Sequence, residues 1–509
     1  MNRTAAASRC SLDLLPELLR RSGVSAELRG RGDVLLAGAS SDSRKIQPGE
    51  IFLAWKGTVT DAHDYVASAV RNGAVAAVVE DYVDVAIPQL RVDDARRAAA
   101  VVAHWLEGDP SKELRVAAVT GTNGKTTCAF LIRHLMSATG PAATIGTLGL
   151  VGPDGVVRPG SESLTTPGPV EISRQLRALA DEGVTSVSLE ASSHALEQSR
   201  LDRVDLDVAV FTNLTLEHLD YHRTFADYRE AKARILLLVG EDGGVVVNGA
   251  DPAWSQLPPI NARLIVTRIQ DEPVVGRPRC RGRQLPDLIA DDIALSGEGS
   301  RFMVRWGGEE VAVSLPLLGR FNVDNGLGAL GAALMLEQEL EAAAESLGKS
   351  PQPTGRLELT VRDPVPVILD YAHTPHALER VLETLRPLFP GRIILVFGAG
   401  GDRDRSKRPE MGRMAAEGAD LSIVTSDNPR TEDPEAIVDE VVAGMTGAFY
   451  ERITDRKAAI ERALEVARSD DVVLLAGKGH ETYQIVGTES RPFDERRVVR
   501  EIIGSGRAA

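Results

Sequence analysis

The segment Gly121–Thr127 constrains the fold of this chain more than any other stretch. It reads Gly-Thr-Asn-Gly-Lys-Thr-Thr and lies between an apolar, β-branched run at 114–120 and an apolar segment with helical spacing at 129–136. In such a turn, glycines let backbone N–H groups point at a phosphate, the lysine adds positive charge, and a hydroxyl reaches Mg²⁺. The pattern therefore predicts a nucleoside triphosphate site between a strand and a helix. One departure is Val119, which stands where the usual phosphate loop begins with glycine, and an ordinary Gly-rich turn is the alternative interpretation.

The length and charge of the chain limit the classes of protein to which it can belong. At 509 residues it is too long for one core, and three domains of ordinary size are expected. It contains no run of about 18 apolar residues that could span a bilayer, and its first residues do not resemble an export signal. The net charge of −15, without a basic tract, argues against a nucleic-acid partner. We therefore expect a cytoplasmic monomer with small-molecule partners and neither a nucleic-acid nor a membrane partner.

Two linkers divide the chain into the three expected domains. Gly108-Asp109-Pro110 is the first linker, and a Gly/Ser/Pro-rich stretch at 348–353 is the second. The predicted domains are residues 1–107, 108–347 and 348–509. In the first of them, serines and threonines border a predicted strand, and their spacing alone favours turn chemistry.

Two further strands of the central domain end in residues suited to metal binding. Glu190 follows the apolar run 184–189, and His218 follows the run 208–211 after a short polar loop. In doubly wound parallel sheets, ligands bind beyond the carboxyl ends of the strands. We therefore predict that Glu190 and His218 lie at the same edge as Lys125 and Thr126, where they could hold Mg²⁺. A lone glutamate or histidine is more often structural.

The third domain shows four apolar runs that each end abruptly in polar residues. The runs are 365–369, 393–397, 421–425 and 472–476. Helical stretches separate them, so the pattern predicts a second parallel α/β sheet with all four polar loops at one edge. The loop that starts at Gly398 is not a dinucleotide fingerprint, because Arg403 occupies the third glycine position. Four such loops at one edge favour a charged binding pocket.

Six motifs, read in order, resemble the Mur ligase family over nearly the whole chain. They are Gly-Thr-Asn-Gly-Lys-Thr-Thr from 121, Glu-Ala-Ser-Ser-His from 190, Thr-Asn-Leu from 212 with Glu-His-Leu-Asp-Tyr-His from 217, Gly-Arg-Phe-Asn from 319, Asp-Tyr-Ala-His-Thr-Pro from 370 and Gly-Lys-Gly-His-Glu from 477. The resemblance implies an α/β protein of three domains. These would be an N-terminal uridine-nucleotide domain, a central P-loop ATPase-like domain with a parallel sheet, and a C-terminal Rossmann-like domain that binds an amino acid.

The resemblance also implies an activity. The chain is similar to the ligases of peptidoglycan precursor synthesis. These ligases use ATP to add the third amino acid to UDP-N-acetylmuramoyl-L-alanyl-D-glutamate through an acyl phosphate. Asp427-Asn428-Pro429-Arg430 looks like the motif of members that use diaminopimelate rather than L-lysine, and the resemblance implies meso-diaminopimelate as the substrate. A guanidinium can bind the distal carboxylate of diaminopimelate bidentately, whereas lysine offers only an ammonium there.

Three alternatives stay open at this point. The same ligase could use L-lysine or LL-diaminopimelate. A folylpolyglutamate synthetase shares the phosphate loop and the overall plan, but it should lack the Asp-Asn-Pro-Arg loop and the first domain. A catalytically silent nucleotide-binding module is a third possibility, and the presence of Lys125, Glu190, His218 and Lys232 argues against it.

The resemblance implies roles for individual residues. Those that would bind ATP are Gly121, Thr122, Asn123, Gly124, Lys125, Thr126, Thr127, Asn322 and Arg356. Those that would bind the UDP-muramoyl peptide are Ser41, Ser43, Thr58, Val59, Thr60, Thr165, Thr166, Ser192, Gln198 and Arg200. Those that would bind diaminopimelate are Arg403, Asp427, Asn428, Pro429, Arg430, Gly477 and Glu481. The implied catalytic residues are Lys125, Glu190, His218 and Lys232, and Lys232, as a carbamate, would hold Mg²⁺ with Thr126, Glu190 and His218.

Overall fold

The computed structural model describes residues 10–57, 60–158, 164–215 and 221–504, which form two compact units. The first unit contains the residues up to Asp291 together with Val304–Val311 and Asp324–Leu347. The second contains Asp292–Met303, Ala312–Val323 and the residues from Gly348 onward. The limits of the three predicted domains stay a prediction. Across the described ranges, every helix is too short or too polar to cross a bilayer.

The N-terminal sheet has five strands in the order β1-β5-β4-β3-β2. The strands are β1 (Ala26–Arg29), β2 (Gly38–Ser40), β3 (Glu50–Leu53), β4 (Ala76–Val79) and β5 (Gln89–Val92), and the helices are α1 (Leu15–Arg21), α2 (Val66–Arg71) and α3 (Ala95–Leu106). Neighbouring strands are parallel except β1 and β5. Alternate residues of β3 face different helices: Ile51 packs in a core with α1 and α3, and Phe52 packs in a core with α2. Helices therefore cover both faces of this sheet.

The middle sheet carries the predicted phosphate loop. Its strands are β6 (Arg115–Thr120), β7 (Ala142–Gly146), β8 (Gly149–Val151), β9 (Ser186–Glu190), β10 (Leu206–Phe211), β11 (Val239–Asn248), β12 (Arg263–Ile269), β13 (Leu288–Ser296), β14 (Gly299–Trp306) and β15 (Glu309–Leu315), in the order β15-β14-β13-β12-β11-β10-β6-β9-β7-β8. The strands from β7 to β13 in that order are parallel, and β8 is antiparallel to β7. Because β6 lies between β9 and β10, the carboxyl ends of these three strands are neighbours.

Helices and short 3₁₀ turns connect these strands. The helices are α4 (Lys125–Met136), α5 (Pro169–Asp181), α6 (Ser193–Glu197), α7 (Phe225–Ala233), α8 (Arg320–Met335) and α9 (Leu340–Leu347). Short 3₁₀ helices lie at Leu12–Leu14, Ala62–Tyr65, Pro110–Glu113, Arg234–Leu238 and Pro252–Gln256. The predicted order of strand, glycine loop and helix is therefore confirmed between β6 and α4.

Helix α8 begins earlier than the sequence predicts. The Ala/Leu pattern predicts a helix over 326–340 that follows a Gly-Arg-Phe-Asn turn, but the helix starts at Arg320 and ends at Met335. Gly319 has φ +90° and supplies the turn by itself. Asn322 therefore lies in the first turn of the helix, where its Nδ2 donates to the carbonyl of Leu318 at 2.8 Å.

The C-terminal sheet has six strands in the order β16-β17-β21-β18-β19-β20, with a separate hairpin of β22 and β23. The strands are β16 (Glu358–Val361), β17 (Val367–Asp370), β18 (Ile393–Phe397), β19 (Leu421–Val424), β20 (Tyr450–Arg452), β21 (Val472–Ala476), β22 (Tyr483–Val486) and β23 (Glu489–Pro492). All neighbours from β17 to β20 are parallel, which confirms the predicted parallel sheet.

Helices cover both faces of the C-terminal sheet. They are α10 (Pro375–Leu385), α11 (Lys407–Gly418), α12 (Pro434–Val442), α13 (Arg456–Val466) and α14 (Glu495–Gly504). Leu395 of β18 belongs to the core that α10, α11 and α12 form. Its neighbour Val396 belongs to the core that α13 and α14 form. The four predicted polar loops therefore leave one edge of a doubly wound sheet.

His104 is a buried histidine on α3 with no role in the predicted site. Its side chain is fully buried, and within the described ranges neither ring nitrogen has a hydrogen-bond partner. Burial lowers its pKa to about 4, an effect that Asp109 opposes and Arg203 reinforces. The folded protein therefore holds this imidazole neutral under conditions in which an unfolded chain would protonate it.

Acidification is expected to weaken the fold of the first unit through His104. Because the folded-state pKa is depressed from 6.5 to about 4, the unfolded chain binds more protons across that window, and the free energy of unfolding falls as pH falls. The loss reaches at most about 3 kcal/mol at the acid end. In urea unfolding at pH 7 and pH 4.5, His104→Leu should lose less stability on acidification than the wild type. The exposed His376, replaced by leucine, is the control, and equal acid losses in both variants would contradict the explanation.

Candidate functional site

The loop after β6 closes tightly around the lysine at the start of α4. The Nζ of Lys125 donates to the carbonyl oxygens of Gly121 at 2.9 Å and of Thr122 at 2.7 Å. The same loop ends at the N-terminus of a helix of 12 residues, where the first backbone N–H groups lie beyond the reach of intrahelical acceptors and favour an anion. The geometry is that of a phosphate-binding loop.

Two glycines in this loop are required by close contacts. Gly121 has φ +149° and Gly124 has φ +83°, both in the region that L residues rarely adopt. A Cβ at Gly121 would lie 1.9 Å from Oγ1 of Thr212, and one at Gly124 would lie 2.2 Å from Oδ1 of Asn325. The predicted phosphate loop therefore depends on residues that follow β10 and on α8.

Glu190 ends β9 beside the phosphate loop, as the strand order requires. Its buried carboxylate accepts hydrogen bonds from Oγ1 of Thr126 at 3.0 Å and from the backbone N–H and hydroxyl of Thr147 at 2.8 and 3.2 Å. Gly146 permits this approach, because a Cβ there would lie 2.2 Å from Oε1. Hydroxyl and carboxylate oxygens suit a hard divalent cation. Within the described ranges, no cluster of three or more His, Cys, Asp or Glu side chains surrounds a metal position.

Lys232 is buried against the same loop. Thr224 and Asp227 form a capping box that starts α7, and the side chain of Lys232 is 1% exposed. Its Nζ donates to the carbonyl of Gly121 at 2.6 Å and lies 4.6 Å from the ring centre of Tyr228. A charged helical stretch such as 228–234 is typical of a solvated face, but Lys232 is buried instead. Two lysines, Lys125 and Lys232, donate to one carbonyl oxygen.

A polar network continues from Glu190 into the residues predicted to bind the muramoyl peptide. Oγ1 of Thr166 donates to the carbonyl of Glu190 at 2.6 Å and accepts from the backbone N–H of Ser192 at 3.0 Å. Arg200 donates to the carbonyl of Thr166 at 2.8 Å and to Gln198 at 2.9 Å. Burial, and then the charge of Arg96, lower the pKa of the Arg200 guanidinium. Thr165 joins the network through Thr147, with 3.2 Å between their hydroxyl oxygens.

The predicted residues of the N-terminal domain lie in turns. Ser41 and Thr60 are exposed, and Ser43 is buried with its carbonyl accepting from Asn72 at 2.7 Å. The carbonyl of Thr60 accepts from the N–H of Gly57 at 2.9 Å. Three residues of the predicted binding and metal sites lie outside the described residues: Thr58, Val59 and His218.

In the second unit, a guanidinium and two aromatic rings lie close together at the loop that follows β17. The guanidinium of Arg356 lies 5.0 Å from the ring centre of Tyr371, whose ring lies 4.9 Å from that of His480. Burial, followed by the charges of Arg356, Arg496 and His373, lowers the pKa of His480 to about 4. Asp370 caps this loop by accepting from the N–H groups of Leu357 and Ala372, both at 2.8 Å.

The loops after β18, β19 and β21 form one cluster, which we call the three-loop cluster (398–402, 426–432 and 477–481). Nη1 of Arg430 donates to the carbonyl of Gly401 at 2.6 Å, and the N–H of Gly401 donates to the carbonyl of Asn428 at 2.9 Å. Nδ2 of Asn428 in turn donates to Oε2 of Glu481 at 2.8 Å. The structure therefore brings these predicted diaminopimelate-binding residues together. Arg403 is exposed next to the cluster, and Pro429 is buried in it.

A buried arginine outside the predicted site residues connects two of these loops. The guanidinium of Arg408 is 1% exposed and donates to Glu432 at 2.7 and 2.9 Å and to Glu440 at 2.9 Å. The hydrogen bond from Arg408, and then the one from the N–H of Asp402, lower the pKa of Glu432 to about 2. The carboxylate of Asp402 accepts from the hydroxyl of Thr431 at 2.8 Å. Arg408 therefore holds both loops in place, the one around residue 402 and the one around residue 431.

Asp427 faces a second buried arginine. One oxygen of the buried Asp427 carboxylate, Oδ2, lies 3.9 Å from Nη1 of Arg456 and has no hydrogen-bond partner within the described part of the chain. Arg456 also donates to Glu495 at 2.8 Å and to the carbonyl of Ala476 at 2.8 Å. Gly477 (φ +114°) passes so close that a Cβ would lie 2.5 Å from Oδ2.

Comparison with known protein families gives three consecutive matches. The chain matches the Mur ligase family, catalytic domain, over residues 36–118, the Mur ligase middle domain over residues 119–333, and the Mur ligase, glutamate ligase domain, over residues 355–479. These three α/β domains confirm the predicted fold class.

Individual relatives agree with these matches. The chain is 40% identical over 500 residues to the UDP-N-acetylmuramoyl-L-alanyl-D-glutamate–2,6-diaminopimelate ligase of Gloeobacter violaceus, with 97% of this chain and 99% of the relative covered. A solved structure of a ligase with the same name is 35% identical, with a TM-score of 0.68 and coverage of 95% of this chain and 98% of that one. The folylpolyglutamate synthase of Mycobacterium tuberculosis, solved with ADP, is 18% identical, with a TM-score of 0.56 and coverage of 76% of this chain and 92% of that one. This last likeness is one of fold alone.

Proposed function

The chain belongs to the Mur ligase family, and we propose that it is the ATP-dependent, ADP-forming ligase that adds meso-diaminopimelate to UDP-N-acetylmuramoyl-L-alanyl-D-glutamate. The observation that carries the proposal is the three-loop cluster, in which hydrogen bonds connect the guanidinium of Arg430 to the carboxylate of Glu481 through Gly401 and Asn428. Diaminopimelate carries two ammonium and two carboxylate groups, so its pocket needs both a cation and an anion.

The first chemical step activates the dipeptide. The terminal carboxylate of the D-glutamyl unit attacks the γ-phosphorus of ATP, and the bond to the bridging oxygen breaks, which releases ADP and leaves an acyl phosphate. The ammonium of Lys125, at the N-terminus of α4, lies where negative charge on the transferring group needs compensation. The backbone N–H groups of the phosphate loop hold the phosphates during this step.

Mg²⁺ is the cation that this chemistry calls for, and the side chains beside the loop fit it. The hydroxyl of Thr126 and the carboxylate of Glu190, joined at 3.0 Å, are the hard oxygen donors that Mg²⁺ prefers. When bound, Mg²⁺ neutralises charge on the phosphates. We also propose that Lys232 is carbamylated: its ammonium first loses one proton, the neutral amine adds to CO₂, and the nitrogen then loses a second proton, which replaces a cation by a carbamate. The burial of Lys232 against Gly121 supports this assignment.

The second step forms the amide bond. The amine of diaminopimelate attacks the acyl carbonyl, and the resulting tetrahedral intermediate expels phosphate. We assign the binding of this substrate to the three-loop cluster and that of the muramoyl peptide to the network of Thr166, Ser192 and Arg200. The rival assignment to a folylpolyglutamate synthetase-like ligase is disfavoured, since this chain contains the Asp-Asn-Pro-Arg loop and the N-terminal domain. A monomer located in the cytoplasm, where ATP and the nucleotide-linked precursor are available, fits this role.

Phosphate release from ATP tests the proposal directly. With the UDP-muramoyl dipeptide present, meso-diaminopimelate, LL-diaminopimelate and L-lysine are compared in parallel. We expect release to depend on the dipeptide and to be fastest with meso-diaminopimelate. A preference for L-lysine would keep the ligase but overturn the pocket assignment. No release with any of the three amino acids would overturn the proposed function.

A further inference from the structure

Lys478 is a buried cation that the mechanism above does not use. It lies in the loop after β21, and its side chain is 0% exposed. A buried ammonium is costly unless it is both paired with an anion and hydrogen-bonded. A lysine in this position therefore needs a specific explanation.

The backbone on each side of Lys478 turns the side chain inward. Gly477 has φ +114° and Gly479 has φ +53°. A Cβ at Gly477 would lie 2.5 Å from Oδ2 of Asp427, and one at Gly479 would lie 2.7 Å from Cβ of Tyr371. The loop therefore passes its neighbours at distances that only glycine permits, with Lys478 held between the two glycines.

The ammonium of Lys478 contacts two residues already assigned to the amino-acid pocket. Its Nζ donates to Oδ1 of Asn428 at 3.1 Å and to Oε2 of Glu481 at 3.2 Å. Oδ1 of Asn428 accepts a second hydrogen bond from the backbone N–H of Ile485 at 2.9 Å. Two donors at Oδ1 determine which end of the amide is the oxygen, so Nδ2 is directed at Glu481, to which it donates at 2.8 Å.

These contacts hold only one half of the Glu481 carboxylate. Lys478 and Asn428 both donate to Oε2, and within the described ranges Oε1 receives no hydrogen bond. The side chain of Glu481 is 15% exposed, whereas that of Lys478 has no exposed surface with which to touch a ligand. One oxygen is therefore fixed, and the other is left for a hydrogen-bond donor that enters from solvent.

We propose that Lys478 is a positioning residue for the amino-acid substrate. It holds the Glu481 carboxylate, directly and through Asn428, so that Oε1 receives an ammonium group of diaminopimelate. This inference rests on the proposed function. Lys478 acts on the substrate only through the side chain of Glu481. A charge-assisted hydrogen bond to a preorganised carboxylate gains affinity because the carboxylate is already oriented before the ligand arrives.

The test compares Lys478→Met with a matched control, Lys457→Met, in the full-length protein. Lys457 lies on α13 in the same unit and is 49% exposed. In the phosphate-release assay, Lys478→Met should raise the KM for diaminopimelate about tenfold or more, and the KM for ATP should change by less than about twofold. Lys457→Met should leave both values unchanged. An equal rise in both KM values would indicate a general loss of structure and would overturn the inference.

A double variant decides the question even if Lys478→Met does not fold. Lys478→Met with Glu481→Gln removes both charges of the pair, so it leaves neither charge without its partner. If Lys478 acts through Glu481, the KM for diaminopimelate of the double variant should lie within about threefold of that of Glu481→Gln alone. A further tenfold rise would show that Lys478 acts independently and would overturn the inference.

The wild-type assay separates this inference from the function on which it rests. Wild-type protein without diaminopimelate-dependent phosphate release would overturn the proposed function and this role of Lys478 together. Wild-type activity with an unchanged KM for diaminopimelate in Lys478→Met would overturn the role of Lys478 alone.

Discussion

Lys125→Ala is expected to abolish ligation in a protein that stays folded. The lysine donates to two carbonyl oxygens of the phosphate loop at 2.7 and 2.9 Å, and it provides the positive charge at the N-terminus of α4. Alanine is a good helix former, so α4 itself should persist. Loss of the ammonium leaves the charge on the transferring phosphoryl group uncompensated, and turnover should fall by about a thousandfold or more. Phosphate release and far-UV circular dichroism measure the two effects.

Lys112→Ala is the control for this experiment. Lys112 is an exposed lysine of the same unit, whose Nζ lies 3.4 Å from the carboxylate of Asp109. Its removal should change neither turnover nor the circular dichroism spectrum. Near-normal turnover in Lys125→Ala would remove the basis for assigning phosphoryl transfer to this loop.

Arg430→Ala is expected to weaken diaminopimelate binding selectively. Its KM for diaminopimelate should rise about a hundredfold, because a bidentate, charge-assisted contact is worth about 3 kcal/mol. The KM for ATP should stay close to that of the wild type, since Arg430 is not among the proposed ATP-binding residues. Steady-state kinetics with each substrate varied in turn gives both values.

Because of the backbone conformation of Arg430, a second substitution, Arg430→Gly, is needed as a control. Arg430 has φ +52°, a conformation that costs alanine energy but not glycine. Arg430→Gly removes the guanidinium without that strain and should show the same rise in KM. Arg413→Ala removes an exposed arginine of α11 that pairs with Glu417, and it should have no effect. A rise in Arg430→Ala that is absent in Arg430→Gly would trace the effect to loop strain rather than to the lost cation.

Local sequence patterns predicted the parts of this fold that depend on residues close to each other in the chain. The apolar run before Gly121 becomes β6, and the helical spacing after it becomes α4. Glu190 could be placed beside Thr126 because parallel neighbouring strands end at one edge, and the two side chains are in fact hydrogen-bonded at 3.0 Å. The same rule predicted that four loops of the second unit lie at one edge of its sheet, and three of those loops form the three-loop cluster.

The sequence did not reveal partners that come from distant parts of the chain. The burial of Lys232 depends on the carbonyl of Gly121, which lies 111 residues earlier. Thr147, which directly follows β7, contacts Glu190, and neither Thr147 nor the glycine before it stands out in the sequence. Arg408 resembles any exposed helical arginine until Glu432 and Glu440 are folded against it. The role of His218 stays a prediction.

The first residue of helix α8 was predicted wrongly for a different reason. Its hydrophobic pattern is nearly continuous, so the start of the apolar run does not indicate where the helix begins. Gly319, with φ +90°, ends the preceding segment, and the polar residues after it are already helical. The left-handed Glu337, with φ +66°, ends the helix region in the same way, although nothing in its residue type predicts that conformation.

The anchor at Arg408 affects how the amino-acid preference of this enzyme could be redesigned or could drift during evolution. Because one guanidinium holds Glu432, and Glu432 in turn receives the N–H of Asp402, the segments around 402 and 431 keep their shape as a pair. Exchanging only the tetrapeptide 427–430 would transplant new side chains onto an unchanged frame. If the proposed pocket is correct, a pocket for a different amino acid has to be inherited as two segments and their shared arginine, and single-loop grafts are poor starting points.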